Sequence, residues 1–339
     1  MSLVTVGLPV YNAMPFLPET IDSLLRQTCA DFKVLAIDDG STDDSLDYLM
    51  SIQDSRFKVI SQQNTGLTNT LNRMLREVET PWLIRHDADD IAYPNRIELV
   101  RKYVNKYPDS GMFYSYAKYY QNTESFGTFR TTKASPDILS NLTKAGYLLA
   151  ICHPTVTLNV AKTKDIGGYR FNLHIEDIDL WWRMALLHEI RLISEETVGF
   201  RLNINSVSSS NLRGQSTNTL YVQYLLLSHL WNLNPLPYEA VKNQLIMLLN
   251  SKKLNFRTNM RMTNIHMGKK AYAGAIKYGI GALLASPQDF VERLTYELGN
   301  KDVAVNGEDP KLFAANCSSL WSEKIENVCL NLNQRGDNK

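Results

Sequence analysis

Residues 3–44 read LVTVGLPVYNAMPFLPETIDSLLRQTCADFKVLAIDDGSTDD, and they decide the fold class. Leu3–Leu8 is a continuous run of aliphatic and β-branched residues, which is typical of a buried strand that ends at Pro9. Phe16–Gln27 carries apolar residues at helical spacing, and Phe32–Ile37 is a second buried run. A strand, a helix and a strand in this order predict two parallel strands joined by a crossover helix.

The same alternation continues along the chain. Phe57–Ile60 and Trp82–Arg85 are strand-like runs, Leu67–Val78 lies between them with helical spacing, and a further helix is predicted from Pro94 to Tyr107. The predicted fold class is therefore α/β, with a mostly parallel, Rossmann-like sheet flanked by helices. Ligands of such sheets bind beyond the carboxyl ends of the strands. Four loops lie at these ends: Pro9–Asn12, Asp38–Asp43, Asn64–Gly66 and Asp87–Asp90.

The pattern changes in the last third of the chain. Strands in Gly111–Phe129 and Leu192–Leu202 and a helix over Glu176–His188 complete a first unit, which we assign to residues 1–210. Small polar residues at 203–211 predict a loop or linker. Residues 217–339 form a second, all-helical unit. Its predicted helices are Leu220–Leu233, Tyr238–Asn250, Met267–Leu284 and Pro287–Leu298.

Composition excludes several classes of protein. With 36 Lys and Arg against 35 Asp and Glu, the net charge of +1 argues against a nucleic-acid partner, and 44% hydrophobic residues argue against a disordered chain. Cysteines and histidines lack zinc-site spacing. The chain has no signal-peptide pattern and no apolar run of about 18 residues, so we expect a cytoplasmic protein.

The longest apolar stretch, Ala271–Ser286, is interrupted by Lys277. We expect this helix to pack its apolar face inward, and the alternative is an amphipathic helix lying on a membrane.

Three acidic residues in four, Asp87-Ala88-Asp89-Asp90, follow the predicted strand Trp82–Arg85. If their carboxylates converge, they need a cation, and Mg²⁺ or Mn²⁺ accepts carboxylate oxygens together with phosphate oxygens. A solvated acidic turn that precedes the helix from Pro94 explains the same residues.

Two other loops carry polar or aromatic residues that suit a nucleotide. In the first loop, Gly40 permits a tight turn, and the preceding Asp38 and Asp39 carry carboxylates that accept hydrogen bonds from a base or ribose. A capped turn is the simpler interpretation of the same residues. Tyr11 offers a ring that stacks on a flat base, and an ordinary turn explains it equally well.

The segment Glu176-Asp177-Ile178-Asp179-Leu180-Trp181-Trp182-Arg183 combines acids with aromatic residues on one predicted helix. Asp179 and Arg183 are four residues apart and are expected to pair. Acids at a helix start also interact favourably with its dipole. The functional interpretation is a general base beside an aromatic platform for a sugar ring.

Taken together, these motifs resemble family 2 glycosyltransferases, which are inverting enzymes of the GT-A fold that build capsules, O-antigens and related surface glycans. Five motifs occur in the family's order within residues 3–208: Pro9-Val-Tyr-Asn12, Ile37-Asp-Asp-Gly-Ser-Thr-Asp43, Asn64-Thr-Gly66, Asp87-Ala-Asp-Asp90 and Glu176-Asp-x-Asp-Leu-Trp-x-Arg183.

The resemblance implies roles for individual residues. Asp39, with Asp38 beside it, would hydrogen-bond the uracil of a UDP-sugar. Asp89 would ligate the metal, with Asp87 facing the ribose or the metal's water shell, and Asp177 would be the catalytic base. Further donor contacts are implied at Pro9, Tyr11, Asn12, Gly66 and Arg201, and acceptor contacts at Glu176, Trp181 and Trp182.

The loop after Phe200-Arg201, with Ser206 and Ser208, resembles the loop that closes over the diphosphate. The family often has a histidine two residues after this arginine, where the present chain has Asn203.

The resemblance implies an inverting, metal-dependent hexosyltransferase that uses Mn²⁺ or Mg²⁺. Its donor would be a UDP-linked hexose or N-acetylhexosamine, and its acceptor a saccharide or lipid-linked saccharide. The helical region after Thr217 lies outside the strong resemblance, and three roles stay open for it: to shape the acceptor site, to form a homodimer or to contact the inner face of the membrane. Two alternatives stay open: a nucleotidyltransferase that makes nucleotide-sugars, and a non-catalytic nucleotide-sugar-binding protein.

Overall fold

The computed structural model describes residues 2–121, 123–202, 211–299, 303–317 and 320–321. Within these residues the chain forms a mixed α/β unit followed by a mostly helical region. The strands are β1 Val4–Val10, β2 Lys33–Asp38, β3 Phe57–Ser61, β4 Trp82–Arg85, β5 Ile91–Ala92, β6 Met112–Gln121, β7 Glu124–Phe126, β8 Leu148–Leu149, β9 Thr157–Asn159, β10 Ile190–Arg201 and β11 Val305–Asn306. The helices of the α/β unit are α1 Leu17–Leu25, α2 Ser45–Met50, α3 Leu67–Glu77, α4 Arg96–Lys106, α5 Pro136–Lys144, α6 Val160–Asp165 and α7 Glu176–Leu187.

The main sheet has the strand order β3-β2-β1-β4-β9-β6-β10-β5, with β7 paired to β6. Strands β3, β2, β1 and β4 are parallel, as the sequence predicts. Their carboxyl ends meet at one edge, since Val10 lies opposite Asp38 and Gly7 lies opposite Arg85. The four loops named from the sequence therefore converge at this edge.

The packing of the sheet explains why these strands could be predicted from the sequence. Every residue of β1 is buried, because helices cover both faces of the sheet, and a strand buried on both faces reads as an unbroken apolar run. One side of the sheet packs around Leu71, Met74 and Trp181, and the other around Ile97 and Val100.

The sheet is mixed rather than uniformly parallel. Strand β9 is inserted between β4 and β6 and is antiparallel to both. Strand β5 pairs antiparallel with the end of β10, which brings Ala92 opposite Val198. This pairing carries the end of β10 to the acidic loop at Asp87–Asp90.

The helical region packs directly on the α/β unit. Its helices are α8 Leu212–Leu230, α9 Tyr238–Met247, α10 Ser251–Gly268, α11 Tyr272–Ala285, α12 Pro287–Glu297 and α13 Pro310–Asn316. Helix α8 is buried along most of its length, and β11 returns to pair with β8 of the first unit. These contacts join the two parts of the chain. The division into units 1–210 and 217–339 therefore stays a prediction. No helix in the described part of the chain combines the length and apolarity needed to cross a bilayer.

The structure differs from the sequence-based expectations for this region in three ways. Helix α10 has no counterpart among the predicted helices, and the predicted helix Met267–Leu284 is interrupted at Lys269–Lys270, where Lys270 adopts a left-handed φ of 56°. Helix α11 also faces the opposite way from the expectation, since Ile276 and Ile280 are 63% and 54% exposed.

Candidate active site

The loops after β1 and β2 are fastened to each other by hydrogen bonds. Asn12 adopts a left-handed φ of 48°, which asparagine tolerates better than most residues. Its backbone N–H donates to Ser41 Oγ at 3.0 Å, and its side-chain oxygen accepts from the Thr42 N–H at 2.7 Å. Next to it, Pro9 lies in buried β1, whereas Tyr11 is 53% exposed.

Asp39 organises the loop that precedes α3. Its carboxylate accepts hydrogen bonds from Gln62 Nε2 at 2.6 Å and from the N–H groups of Thr65 and Gly66, each at 2.9 Å. Burial acts to raise the pKa of Asp39, but these hydrogen bonds outweigh it and hold the pKa below its ordinary value. Asp39 is therefore a fixed anion at the edge of the sheet.

Asp38 is fully buried and shapes the turn after β2. One of its oxygens, Oδ2, accepts from the N–H groups of Gly40 and Ser41, while Oδ1 has no partner among the described residues. Gly66 is required for the third loop, because its φ is +85° and an added Cβ would lie 3.2 Å from the Asn172 side chain.

The acidic loop after β4 holds three carboxylates with different surroundings. Asp87 is paired with the buried guanidinium of Arg85. Burial and the neighbouring charge of Asp87 raise the pKa of Asp89 to about 6. Asp90 is 1% exposed, and burial with the charges of Asp89 and Asp87 raises its pKa well above the ordinary value. Its Oδ1 accepts from the backbone N–H of Arg201 at 2.7 Å, which ties the loop to the end of β10. Its Oδ2 has no hydrogen-bond partner in the part of the chain that the structure describes.

A buried basic cluster supports the acidic loop from behind. Arg96 donates to His86 Nδ1 at 2.7 Å and to the backbone oxygen of Arg85 at 2.6 Å. Burial and the charges of Arg96 and Arg85 lower the pKa of His86 well below its ordinary value, so its ring is neutral. Sequence reasoning missed these residues, although an arginine two positions before Asp87 is a local signal.

Arg201 is anchored by protein groups. Its Nε donates to the backbone oxygen of Asp89 at 2.6 Å, its Nη2 pairs with Glu19, and its guanidinium lies over the rings of Phe16 and Tyr120. Glu19 was not predicted as part of the site. The predicted contacts at Asn203, Ser206 and Ser208 lie outside the described residues.

Asp177 lies in the first turn of α7, beside Glu176. Burial, with the adjacent charge of Glu176, raises the pKa of Asp177 to about 7. Its Oδ1 accepts from the Ile178 N–H at 2.7 Å. Burial also raises the pKa of Glu176, and its electrostatic neighbours are Arg85 and Asp87, so the start of α7 faces the acidic loop. A carboxylate whose pKa is near neutral is suited to accept a proton.

A buried ion cluster fixes the orientation of α7. Asp179 is fully buried and accepts from Arg183 Nη2 at 2.7 Å, which confirms the predicted pair. It also accepts from Arg170 Nη2 at 2.6 Å and from Trp182 Nε1 at 3.2 Å. Arg183 in turn donates to the backbone oxygens of residues 166 and 168, so the loop before α7 is fastened to it.

Both tryptophans of α7 lie inside the protein. Trp181 is fully buried and packs edge-on against His153 at 5.5 Å between ring centroids. Trp182 is 5% exposed and packs against His229 of α8 at 5.4 Å. Neither ring offers an open face to a sugar in this structure, because α7 is covered by the sheet on one side and by α8 on the other.

A cavity of about 300 Å³ opens beside Asp177. Its walls come from both units of the chain: Tyr119, Phe129, Arg130, Ala150, Ile151, His174, Ile175, Ile178, Gln215, Thr219 and Asn306. His174 adopts a left-handed φ of 54°, which for a residue other than glycine is a strained conformation often found at functional sites. The cavity combines aromatic walls with polar groups, as sugar-sized ligands require.

The acidic loop fits a divalent cation that is held jointly with a ligand. Among the described residues, no three His, Cys, Asp or Glu side chains form a complete metal site. Asp87 and Asp89 supply carboxylate oxygens, and burial together with the charge of Asp87 raises the pKa of Asp89, an effect that a bound cation would oppose. Diphosphate oxygens are suitable further ligands for Mg²⁺ or Mn²⁺.

Comparison with known proteins gives the class. Residues 5–162 match the sequence profile of the family described as glycosyl transferase family 2. An uncharacterised glycosyltransferase of Haemophilus influenzae is 30% identical over 219 residues, which cover 61% of this chain and 68% of that protein. For several other curated relatives the match covers less than two thirds of their length. The chain belongs to glycosyltransferase family 2.

Solved structures agree on the fold. Residues 1–349 of TarS from S. aureus, solved with UDP-GlcNAc, superpose with a TM-score of 0.55 at 16% identity and cover 91% of this chain and 99% of that one. The mannosyltransferase PcManGT of Pyrobaculum calidifontis, solved with GDP-Man and Mn²⁺, has a TM-score of 0.50 at 15% identity over 95% of this chain and 88% of that one. The GT-A fold with an added helical region is therefore shared.

Proposed function

We propose that this protein transfers a hexose or N-acetylhexosamine from a UDP-sugar to a hydroxyl group of a saccharide, with inversion at the anomeric carbon. The position of Asp177 carries the proposal, because this carboxylate, whose pKa is about 7, lies between the acidic loop and a cavity of about 300 Å³. A donor at the loop and an acceptor in the cavity would meet at this carboxylate.

The donor is assigned to the edge formed by the loops after β1, β2 and β4. Tyr11 offers an exposed ring for base stacking. Asp39, whose Oδ2 accepts from the Gly66 N–H, would contact the uracil N–H, and the buried Asp38 would hold the turn beside it. TarS, which shares the fold, was solved with UDP-GlcNAc, and this supports a UDP-linked donor. Asp87 and Asp89 would hold the cation, which when bound neutralises the charge that grows on the departing diphosphate.

The acceptor is assigned to the cavity. Asp177 takes the proton of the acceptor hydroxyl as its oxygen attacks the anomeric carbon, and UDP leaves from the opposite face. Direct displacement of this kind converts an α-linked UDP-sugar into a β-glycoside. Glu176 and the cavity residue Arg130 would position the acceptor. A saccharide or lipid-linked saccharide of a surface glycan suits such a site, and we propose this class of acceptor.

Replacing Asp89 tests the assignment of the cation site. In Asp89→Ala we expect loss of transfer and loss of the Mn²⁺-dependent part of UDP binding, with UDP affinity in Mn²⁺ falling at least about tenfold. Isothermal titration of UDP with and without Mn²⁺ measures the effect. Asp47→Ala, at an exposed acid on α2, is the control and should bind as the wild type does. Equal UDP affinities for Asp89→Ala and the wild type in Mn²⁺ would remove Asp89 from the site.

The pH dependence of transfer tests the base. The charged and titratable neighbours of Asp177 are Glu176, Arg85, Tyr169 and Cys152. Because the pKa of Asp177 is raised to about 7, the carboxylate is protonated at lower pH and becomes competent as pH rises. At saturating metal, kcat/KM should rise about tenfold per pH unit below pH ~7 and level off above it. A profile that is flat from about pH 5 to 8 would contradict the assignment.

A further inference from the structure

Helix α11 packs with its small residues inward. Ala275 and Ala282 are buried against α10. A Cβ added at Gly274 would lie 2.3 Å from His266 Nδ1, and one added at Gly281 would lie 2.7 Å from Asn259 Oδ1. The face that makes the contact with α10 therefore carries mainly alanine and glycine, with Tyr278 stacked on His266 at 5.1 Å between ring centroids.

The large apolar residues of α11 face outward as a consequence. They recur at every fourth position along one side of the helix: Tyr272 is 58% exposed, Ile276 63%, Ile280 54% and Leu284 77%. The next helix continues the pattern with Val291, Leu294 and Leu298, which are 59%, 48% and 74% exposed. We call these seven residues the outer apolar face. Large exposed apolar patches on a protein surface mark an interaction site.

The surrounding sequence has a single sign of charge. Residues 240–288 contain no Asp or Glu, although the whole chain has a net charge of only +1. The basic residues of this segment are Lys242, Lys252, Lys253, Arg257, Arg261, Lys269, Lys270 and Lys277. Lys277 is exposed beside the outer apolar face, and Lys269 is exposed just before it. Lys270 is exposed too, but it pairs with Glu124 at 2.9 Å.

Two of the three acidic residues of α12 are balanced by arginines within the protein. Glu292 pairs with Arg130 at 2.9 Å and Glu297 pairs with Arg293, whereas Asp289 accepts from the neutral Ser286 Oγ at 2.6 Å and keeps its charge. The outer apolar face is therefore bordered mainly by cations.

We propose that the outer apolar face docks on the surface of an anionic lipid bilayer. Apolar side chains flanked by lysines partition into the boundary between headgroups and acyl chains, and the lysines are attracted to negatively charged headgroups. A second copy of the chain is a poorer occupant, because two segments of this charge would repel each other at a shared interface. The proposal stands on surface geometry and charge, independently of the transfer reaction.

Vesicle flotation of the full chain tests the proposal. Vesicles of phosphatidylcholine with phosphatidylglycerol should carry the protein at low salt, and vesicles of phosphatidylcholine alone should carry much less. The triple variant Ile276→Ser, Ile280→Ser and Leu284→Ser should lower partitioning about 100-fold. The double variant Lys269→Gln and Lys277→Gln, which leaves the Lys270–Glu124 pair intact, should lower it at least about tenfold and reduce its salt dependence.

Matched controls separate docking from general stickiness and from misfolding. Met50→Ser, Leu187→Ser and Leu312→Ser remove equally exposed apolar side chains elsewhere and should leave partitioning unchanged. Unchanged melting temperatures would establish that the variants fold. Equal flotation with both kinds of vesicle, or full retention by the serine triple variant, would overturn the proposal. The proposal would also be overturned if the wild type does not bind vesicles and forms a dimer in analytical ultracentrifugation that the serine triple variant does not form.

Discussion

Replacing Asp177 with asparagine should lower the rate of sugar transfer by about 10²–10⁴-fold while leaving UDP affinity unchanged. Asparagine has nearly the same shape but accepts no proton at neutral pH, so the acceptor hydroxyl would attack without a base. The donor is assigned to the opposite edge of the site, so the affinity for UDP should not change. Initial rates with a UDP-sugar and titration of UDP measure the two effects separately.

Asp137→Asn is a matched control for this experiment. Asp137 also lies in the first turn of a helix, α5, but it is exposed and away from the cavity. Wild-type turnover in this control, together with the loss in Asp177→Asn, would assign the effect to the position of the carboxylate. Near-wild-type turnover of Asp177→Asn would mean that another group takes the proton.

Replacing Asp179 with alanine should destabilise the fold by about 3–5 kcal/mol, the range for removing one partner from a buried ion pair. The carboxylate is fully buried and serves Arg170, Arg183 and Trp182. Its removal leaves the buried guanidinium of Arg183 without its counter-charge. Urea unfolding followed by tryptophan fluorescence measures the change in the free energy of unfolding.

Asp22→Ala is the control for the second prediction. Asp22 pairs with Arg26 on the surface, with both side chains at least 50% exposed, so its loss should cost under about 1 kcal/mol. If Asp179→Ala costs no more than this control, the buried cluster does not hold α7. Transfer by the residual folded Asp179→Ala should also fall, because the loop before α7 loses its attachment.

The parallel half of the sheet was predictable because its signals are local. Strands β1, β2 and β4 are buried on both faces, so each reads as an apolar run followed directly by a polar loop. The acidic and Asx-rich loops lie at the ends of adjacent parallel strands, and topology alone brings them together. The antiparallel β9 was not predictable, since three residues carry no usable periodicity.

The residues that support the site were harder to predict because their partners are distant in sequence. Glu19 meets Arg201 across 182 positions, and no local pattern marks that pair. The tryptophans of α7 were expected to face an acceptor, but α8 covers Trp182. The outward face of α11 was not predicted because large apolar side chains of a helix usually pack inward, whereas here mainly glycine and alanine do, together with Tyr278.

The most direct test of the central claim is calorimetric titration of the wild-type protein with UDP, GDP, CMP and dTDP, each with and without Mn²⁺. We predict that UDP binds at least about tenfold more tightly than the others, a difference of about 1.4 kcal/mol, and that Mn²⁺ is required for this preference. A preference for GDP, or UDP binding that is indifferent to Mn²⁺, would contradict the assignment of the donor site to the loops at Asp39 and Asp89.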